Sequence, residues 1–187
     1  ELLLKRYQVS NPSFIELYNV DKKICDDLIK YHEKNTLYKD HGYFGMGSKY
    51  VMDKSSKESI DVTFHNDTKH KAIINFFKEL KVCLDQYTNK YLIKNGLATA
   101  YRNVISMFPP LGGFKIPHYE RASIETSRRQ LVYMLYLNTV KDGGDTEFIH
   151  QNIITKAEKG TLVLWPADFT HLHRGIVSPT EIKYIAT

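Results

Sequence analysis

GTLVLWPADFTHLHRGIVSPTEIKYIAT, residues 160–187, holds two runs of strand-forming residues, 160–166 and 181–187. Pro166, Asp168, Gly175 and Pro179 punctuate the stretch between them. The same texture continues upstream. TAYRNVISMF (99–108), QLVYMLYLNTV (130–140) and EFIHQNIITK (147–156) are short β-rich runs set apart by Gly, Pro and Asp. Before about residue 97 the period changes. VDKKICDDLIKYHEKN (20–35) places Ile24, Leu28 and Tyr31 at helical spacing, with Asp21 as N-cap. NDTKHKAIINFFKELKVCLDQYTNKYL (66–92) is a longer amphipathic helix on Ile73, Phe77, Leu80 and Leu84, capped by Asn66 or Asp67. HGYFGMGSKYVMDKSSKESIDVTF (41–64) reads as loop with short strand pieces, a length often used for function. Helices followed by strands predict one α+β domain over 1–187. Its helical part covers about 1–97 and packs on one side of a β-sandwich or jelly roll of about 98–187.

Hydrophobic content of 42% and charged content of 25% are ordinary for a globular chain. No run of about 18 apolar residues offers a membrane-spanning helix. The opening ELLLKRYQVSNPSF lacks a secretory core and cleavage site, so a soluble, cytoplasmic protein is expected. KYIAT ends as a strand that stops abruptly, and extension at both ends is expected. Cys25 and Cys83 fall inside helical patterns and read as buried thiols rather than a disulfide or zinc site. The net charge of +5 comes from scattered lysines; it allows a nucleic-acid partner but does not indicate one.

The chemistry rests on histidines followed two residues later by a carboxylate. Of eight histidines, those in His65-Asn66-Asp67 and His118-Tyr119-Glu120 qualify. An extended backbone projects residues i and i+2 to one side. With a distant histidine either pair makes two His and one carboxylate, the facial triad of non-haem Fe(II) sites. The first pair sits at the mouth of the long helix, where Asn66 or Asp67 has a capping task. The second follows the extended MFPPLGGFKIP, 107–117. A lone H-x-E is a weak motif and needs its context. Downstream, His171 and His173 lie two apart and would share a strand face.

From about Tyr101 to the end the chain resembles the prolyl 4-hydroxylase-like branch of the 2-oxoglutarate/Fe(II)-dependent dioxygenases. The matching parts are Tyr136-Leu137-Asn138, Gly143-Gly144-Asp145-Thr146-Glu147-Phe148 and the block Pro166–Lys183. The resemblance implies a double-stranded β-helix and an Fe(II) centre held by His118, Glu120 and His173. In that branch a lysine ten residues after the distal histidine binds the far carboxylate of 2-oxoglutarate. Lys183 stands ten after His173 and twelve after His171, so the resemblance selects His173. His171 is then expected to pack beside the site. The implied reaction hydroxylates a C–H bond, with succinate and CO2 as co-products and ascorbate as reductant. The implied substrate is a prolyl residue of a peptide or protein; a small molecule stays open. No catalytic group beyond the metal centre is implied.

Two positions depart from the family. Glu120 stands where Asp is usual, one methylene longer for a bond of about 2.0–2.2 Å on the zinc scale. Phe108 stands near a position that often holds a tyrosine, so one hydroxyl for 2-oxoglutarate is missing. Tyr136 could replace it or be a core aromatic. Thr146, Phe148 and Trp165 read as core or as neighbours of the ligands. Arg174 faces away, toward substrate or solvent. Gly143-Gly144 reads as a turn, and Gly42–Phe64 as a substrate lid. Other classes are a cupin-like metal-binding module without oxygenase activity and a basic interaction protein with a lapsed site. The ligand set with Lys183 speaks against both.

Overall fold

The computed structural model describes residues 12–187 except 43, 47, 48, 95, 96 and 98–100. Residues 1–11, read above for a leader, lie outside the described residues, as do positions 99–100 of TAYRNVISMF and three positions of Gly42–Phe64. Strand β1 (Glu16–Asn19) leads into α1 (Lys22–Lys34). Next come β2 (Lys39–His41), β3 (Phe44–Met46), β4 (Lys49–Val51), β5 (Lys57–Glu58), β6 (Ile60–His65) and α2 (Lys71–Lys90). The rest is β7 (Arg102–Phe108), β8 (Gly113–Phe114), β9 (Leu131–Tyr136), β10 (Thr146–Phe148) and β11 (Ile153–Thr155). It ends with β12 (Thr161–Pro166), β13 (His173–Gly175) and β14 (Lys183–Ala186).

Asp21 caps α1 as expected: its carboxylate accepts from the Lys23 N–H at 2.9 Å. Ile24, Cys25, Leu28 and His32 form the buried stripe. The expected cap of α2 is corrected. Residues 66 and 67 make a turn out of β6, closed by Thr68 N–H to the His65 carbonyl at 3.2 Å. The helix therefore starts later, and His70 Nδ1 accepts from the Ala72 N–H at 3.3 Å. Asp67 instead accepts from the Tyr101 hydroxyl at 3.3 Å.

The main sheet is antiparallel throughout, in the order β1-β12-β9-β14-β7-β6-β2. It crosses the division expected at about residue 97, because β1, β2 and β6 come from the N-terminal part. Those pairings are long-range, and no local pattern announces them. A second sheet has the order β11-β10-β13. The run EFIHQNIITK is corrected from one strand to a hairpin: β10 and β11 pair in the register Thr146↔Thr155. Asn152 makes the turn in the left-handed region, φ 54°. Gly143 and Gly144 form the expected turn, at φ 82° and 76°. A Cβ on Gly143 would meet the Val177 carbonyl oxygen at 2.4 Å.

Alternation along the strands separates two cores. Leu162 and Leu164 of β12 join Phe64, Ile105 and Leu135 against Leu28, Ile73, Phe76 and Leu80 of the helices. Val163 and Trp165 point the other way and join Phe108, Met134, Tyr136, Ile185 and Phe148 of the second sheet. Both helices thus pack on one face, and the second sheet covers the other. Each large apolar side chain buried this way contributes about 1.5–3 kcal/mol. Cys25 and Cys83 are buried free thiols, pushed up to about 11 by burial. Among the described residues no helix is long and apolar enough to cross a membrane.

Candidate metal centre

His118 and His173 meet backbone to backbone. The His118 N–H donates to the His173 carbonyl at 2.9 Å and the reverse bond is 3.0 Å, an isolated antiparallel bridge. This bridge ties the segment after β8 to the start of β13. Each imidazole spends Nδ1 on a carbonyl: His118 on Ile116 and His173 on His171, both at 2.9 Å. A carbonyl only accepts, so Nδ1 carries a proton in each ring, and in the neutral ring Nε2 is the atom with a lone pair to offer a metal. Glu120 Oε1 lies 3.2 Å from His173 Nε2 and 3.9 Å from His118 Nε2. One donor atom from each residue falls within 4.8 Å of the others, the only such group among the described residues.

The electrostatics suit a cation at this point. Burial lowers His118 to about 4, helped by the charge of His173, so the ring is neutral. Burial works to lower His173 and to raise Glu120. Their mutual hydrogen bond and attraction outweigh it, so His173 moves up and Glu120 down. Glu120 Oε2 is buried with no hydrogen-bond partner among the described residues. A carboxylate oxygen left so is costly unless a ligand satisfies it. Two imidazoles and a carboxylate fit a divalent first-row ion, which would take the place of the proton that His173 shares with Glu120. The longer Glu120 reaches both imidazoles.

Aromatic rings wall the centre. Phe114 stacks on His118 at 3.6 Å and 15°. Trp165 meets His173 edge-on at 5.1 Å and 73°, and Phe148 lies 5.6 Å from His173. Phe114 had no signal in the sequence, because four residues' separation from a histidine carries no periodic meaning in a loop. The clamp between Arg121 and Asp168 (Nε to Oδ1, 2.7 Å) was equally invisible, since it joins residues far apart in sequence.

Lys183 is 7% exposed and opposes Phe108 across β14 and β7. Its Nζ sits 5.7 Å from the Phe108 ring centre and 5.2 Å from that of Tyr136. Among the described residues no carboxylate lies within ion-pair reach of it. Burial lowers it to about 8, partly offset by the charge of Asp145. The Tyr136 hydroxyl is turned toward Thr146 Oγ1 (2.8 Å) and Thr155 Oγ1 (3.0 Å), inside the core. Lys183, Phe108, Thr146 and the three candidate ligands line one cleft of about 1680 Å³.

The other candidates lie apart from the ligands. His171 does not share a strand face with His173. It closes a 3₁₀ turn, Phe169–His171, through its N–H to the Asp168 carbonyl at 2.9 Å. Its Nε2 reaches the Ser13 carbonyl at 2.8 Å and its Nδ1 the Thr170 hydroxyl at 2.9 Å, so both nitrogens are engaged. Arg174 is exposed and pairs with Glu147 across β13 and β10 at 2.7 Å. His65 stacks on Tyr101 at 4.5 Å, outside the metal group. The C-terminal part of Gly42–Phe64 is tied down: β6 is in the main sheet and β5 pairs with β8, Lys57 opposite Phe114.

No family model and no curated protein matches the chain. Solved structures do. The viral collagen prolyl hydroxylase of Paramecium bursaria chlorella virus 1, in its 2OG complex, is 18% identical, with TM-score 0.69 over 92% of this chain and 93% of that one. A Pseudomonas putida prolyl-4-hydroxylase is 12% identical, TM-score 0.69, over 93% and 90%. A Trichoplax adhaerens prolyl hydroxylase, in complex with a hypoxia-inducible factor oxygen degradation domain peptide fragment, is 14% identical, TM-score 0.74, over 94% and 82%. The chain therefore has the fold of these prolyl hydroxylases, a mostly antiparallel sheet with two helices.

Proposed function

We propose that the chain is an Fe(II)- and 2-oxoglutarate-dependent dioxygenase that hydroxylates a prolyl residue of a peptide or protein. On this reading residues 1–187 form one domain around a double-stranded β-helix. The observation that carries it is one cleft lined by two imidazoles, a carboxylate and, on β14, a buried ammonium with no carboxylate in reach among the described residues. A dianionic keto acid suits that pair of poles: a chelating end for the metal and a carboxylate for Lys183. A plain metal-binding module has no use for the lysine.

His118, Glu120 and His173 would hold Fe(II) through two Nε2 atoms and one carboxylate. The bound iron, with 2-oxoglutarate and O2, supplies oxidative decarboxylation to succinate and CO2 coupled to C–H hydroxylation, and ascorbate serves as reductant. The protein's own part is positioning. The carbonyls of Ile116 and His171 fix the two rings. Lys183 sets the far end of the keto acid, with its alkyl chain beside Phe108 and Tyr136. Phe114, Phe148 and Trp165 keep water from the ligands. The Tyr136 hydroxyl stays with its threonines in this reading, so Lys183 alone anchors the far carboxylate. A peptide bound to one similar structure supports a peptide substrate.

The test is a panel of proline-containing peptides incubated with enzyme, Fe(II), 2-oxoglutarate and ascorbate, read by mass spectrometry. The expected result is a gain of one oxygen on proline that needs all components. Oxygen gain on a free amino acid only, or on no peptide while 2-oxoglutarate is consumed, would refute the substrate assignment.

A further inference from the structure

We propose that Trp165 is a positioning residue for the metal centre: its indole N–H holds the second oxygen of Glu120 while the first binds the metal. This rests on the reading of His118, Glu120 and His173 as ligands. Trp165 is 1% exposed, and its Nε1 has no acceptor among the described residues. An indole nitrogen can only donate, so burial without a partner is a pure cost. Glu120 Oε2 is buried with no donor among the same residues.

The two residues that carry these atoms, one a donor and one an acceptor, both meet the His173 ring. Glu120 Oε1 is 3.2 Å from His173 Nε2, and the Trp165 ring stands edge-on to His173 at 5.1 Å. The chain is also tied there: the Arg121 N–H donates to the Ala167 carbonyl at 2.9 Å, binding the residue after Glu120 to the segment after Trp165. Both side chains line the cleft. A turn of the Glu120 carboxylate as it engages a metal would satisfy both atoms at once.

The need follows from Glu120 itself. A glutamate ligand has one more rotatable bond than an aspartate, so its carboxylate requires a second tether to stay in place. Hydrogen bonds to the non-bonded part of a ligand commonly change metal affinity by roughly 10–100-fold.

Trp165 is the only tryptophan, so ¹⁵N-labelled protein has one indole cross-peak. Zn(II) serves as a diamagnetic probe. At saturating Zn(II) the indole proton should move downfield and exchange more slowly with solvent. In Glu120→Asp, whose carboxylate is drawn back, the change should be smaller. Zn(II) affinity should fall about tenfold in Trp165→Phe and hardly at all when the same change is made in Glu120→Asp. An indole signal unmoved by saturating Zn(II) would overturn the proposal even if Trp165→Phe does not fold. So would an equal affinity loss in both backgrounds, which marks a packing effect. Wild-type protein that binds no Zn(II) would instead bring down the ligand assignment, and this proposal with it.

Discussion

The two faces of the main sheet are built to different ends, and strand β14 displays both. Tyr184 and Ala186 turn toward the helices, where Ala186 is fully buried and the Tyr184 hydroxyl bonds Glu33 of α1. Lys183 and Ile185 turn into the roll. The helix face is a core dominated by Leu, Ile and Phe. Among the described residues, the cleft face carries an ammonium without a counter-ion, a carboxylate oxygen without a donor and an indole without an acceptor. Those groups cost the apo fold stability, and a bound metal and an anionic keto acid would repay them. Substitutions on the two faces should therefore separate stability from binding.

The largest effect belongs to the metal ligands. His173→Ala should weaken Mn(II) or Fe(II) binding by more than about a hundredfold, since losing a ligand's mere partner already costs 10–100-fold. His171→Ala should keep most of the affinity, because both its ring nitrogens serve the 3₁₀ turn and Ser13. Metal titration of both variants checks this, and the reverse ranking would mean that the wrong histidine was chosen.

On the helix face, Phe76→Ala should cost about 3–5 kcal/mol in urea unfolding. Metal affinity in the folded variant should stay within about twofold, as expected for distant sites. Lys183→Ala should do the opposite. An unpaired buried carboxylate costs about 2–5 kcal/mol, so the KM for 2-oxoglutarate should rise by tens to thousands while Fe(II) affinity holds. Lys183→Arg should be intermediate, keeping charge but changing reach.

The same lysine sets a pH dependence. Its ammonium form is present below about 8, so 2-oxoglutarate should bind fully there and lose up to about tenfold per pH unit above it. Lys183→Arg should flatten that slope. Folding has the opposite sign. The unfolded lysine titrates near 10.4, so the penalty of a buried cation is full below about 8 and is relieved between about 8 and 10.4. Stability from this group should rise across that window while ligand affinity falls. Isothermal titration and denaturant melts from pH 7 to 10 would show both slopes.

The smallest effect tests the corrected cap. His70→Ala should cost about 0.5–1 kcal/mol, and Asp67→Ala no more than about 0.5, with neither touching metal binding.

What was legible in the sequence follows the range of the forces. Helix α1, its cap Asp21 and the strands β7, β9, β12 and β14 are written in local alternation and capping chemistry. The hairpin between β10 and β11 was read as one strand because its turn holds no Gly or Pro, and Asn152 alone marks it. The cap of α2 was misread because His65-Asn66-Asp67 carries stronger capping residues than His70, and only the turn out of β6 sets the start. At the site, His118-x-Glu120 was a weak motif made meaningful by its neighbours. The choice of His173 came from the family resemblance, which sets a lysine ten residues after the distal histidine; the turn that removes His171 from the strand needed the backbone. Phe114 on His118, Trp165 beside His173 and the carbonyls that fix the imidazoles are contacts between distant segments, and no spacing rule encodes them.

The central claim is that the metal pole and Lys183 act on one keto acid. The most direct measurement is succinate formed from 2-oxoglutarate by purified protein with Fe(II) and ascorbate, without any second substrate. The account predicts slow turnover in the wild type, none in His173→Ala, and in Lys183→Ala activity recovered only at much higher 2-oxoglutarate. A wild type that binds Fe(II) but forms no succinate at any 2-oxoglutarate concentration, or a Lys183→Ala variant with unchanged KM, would contradict it.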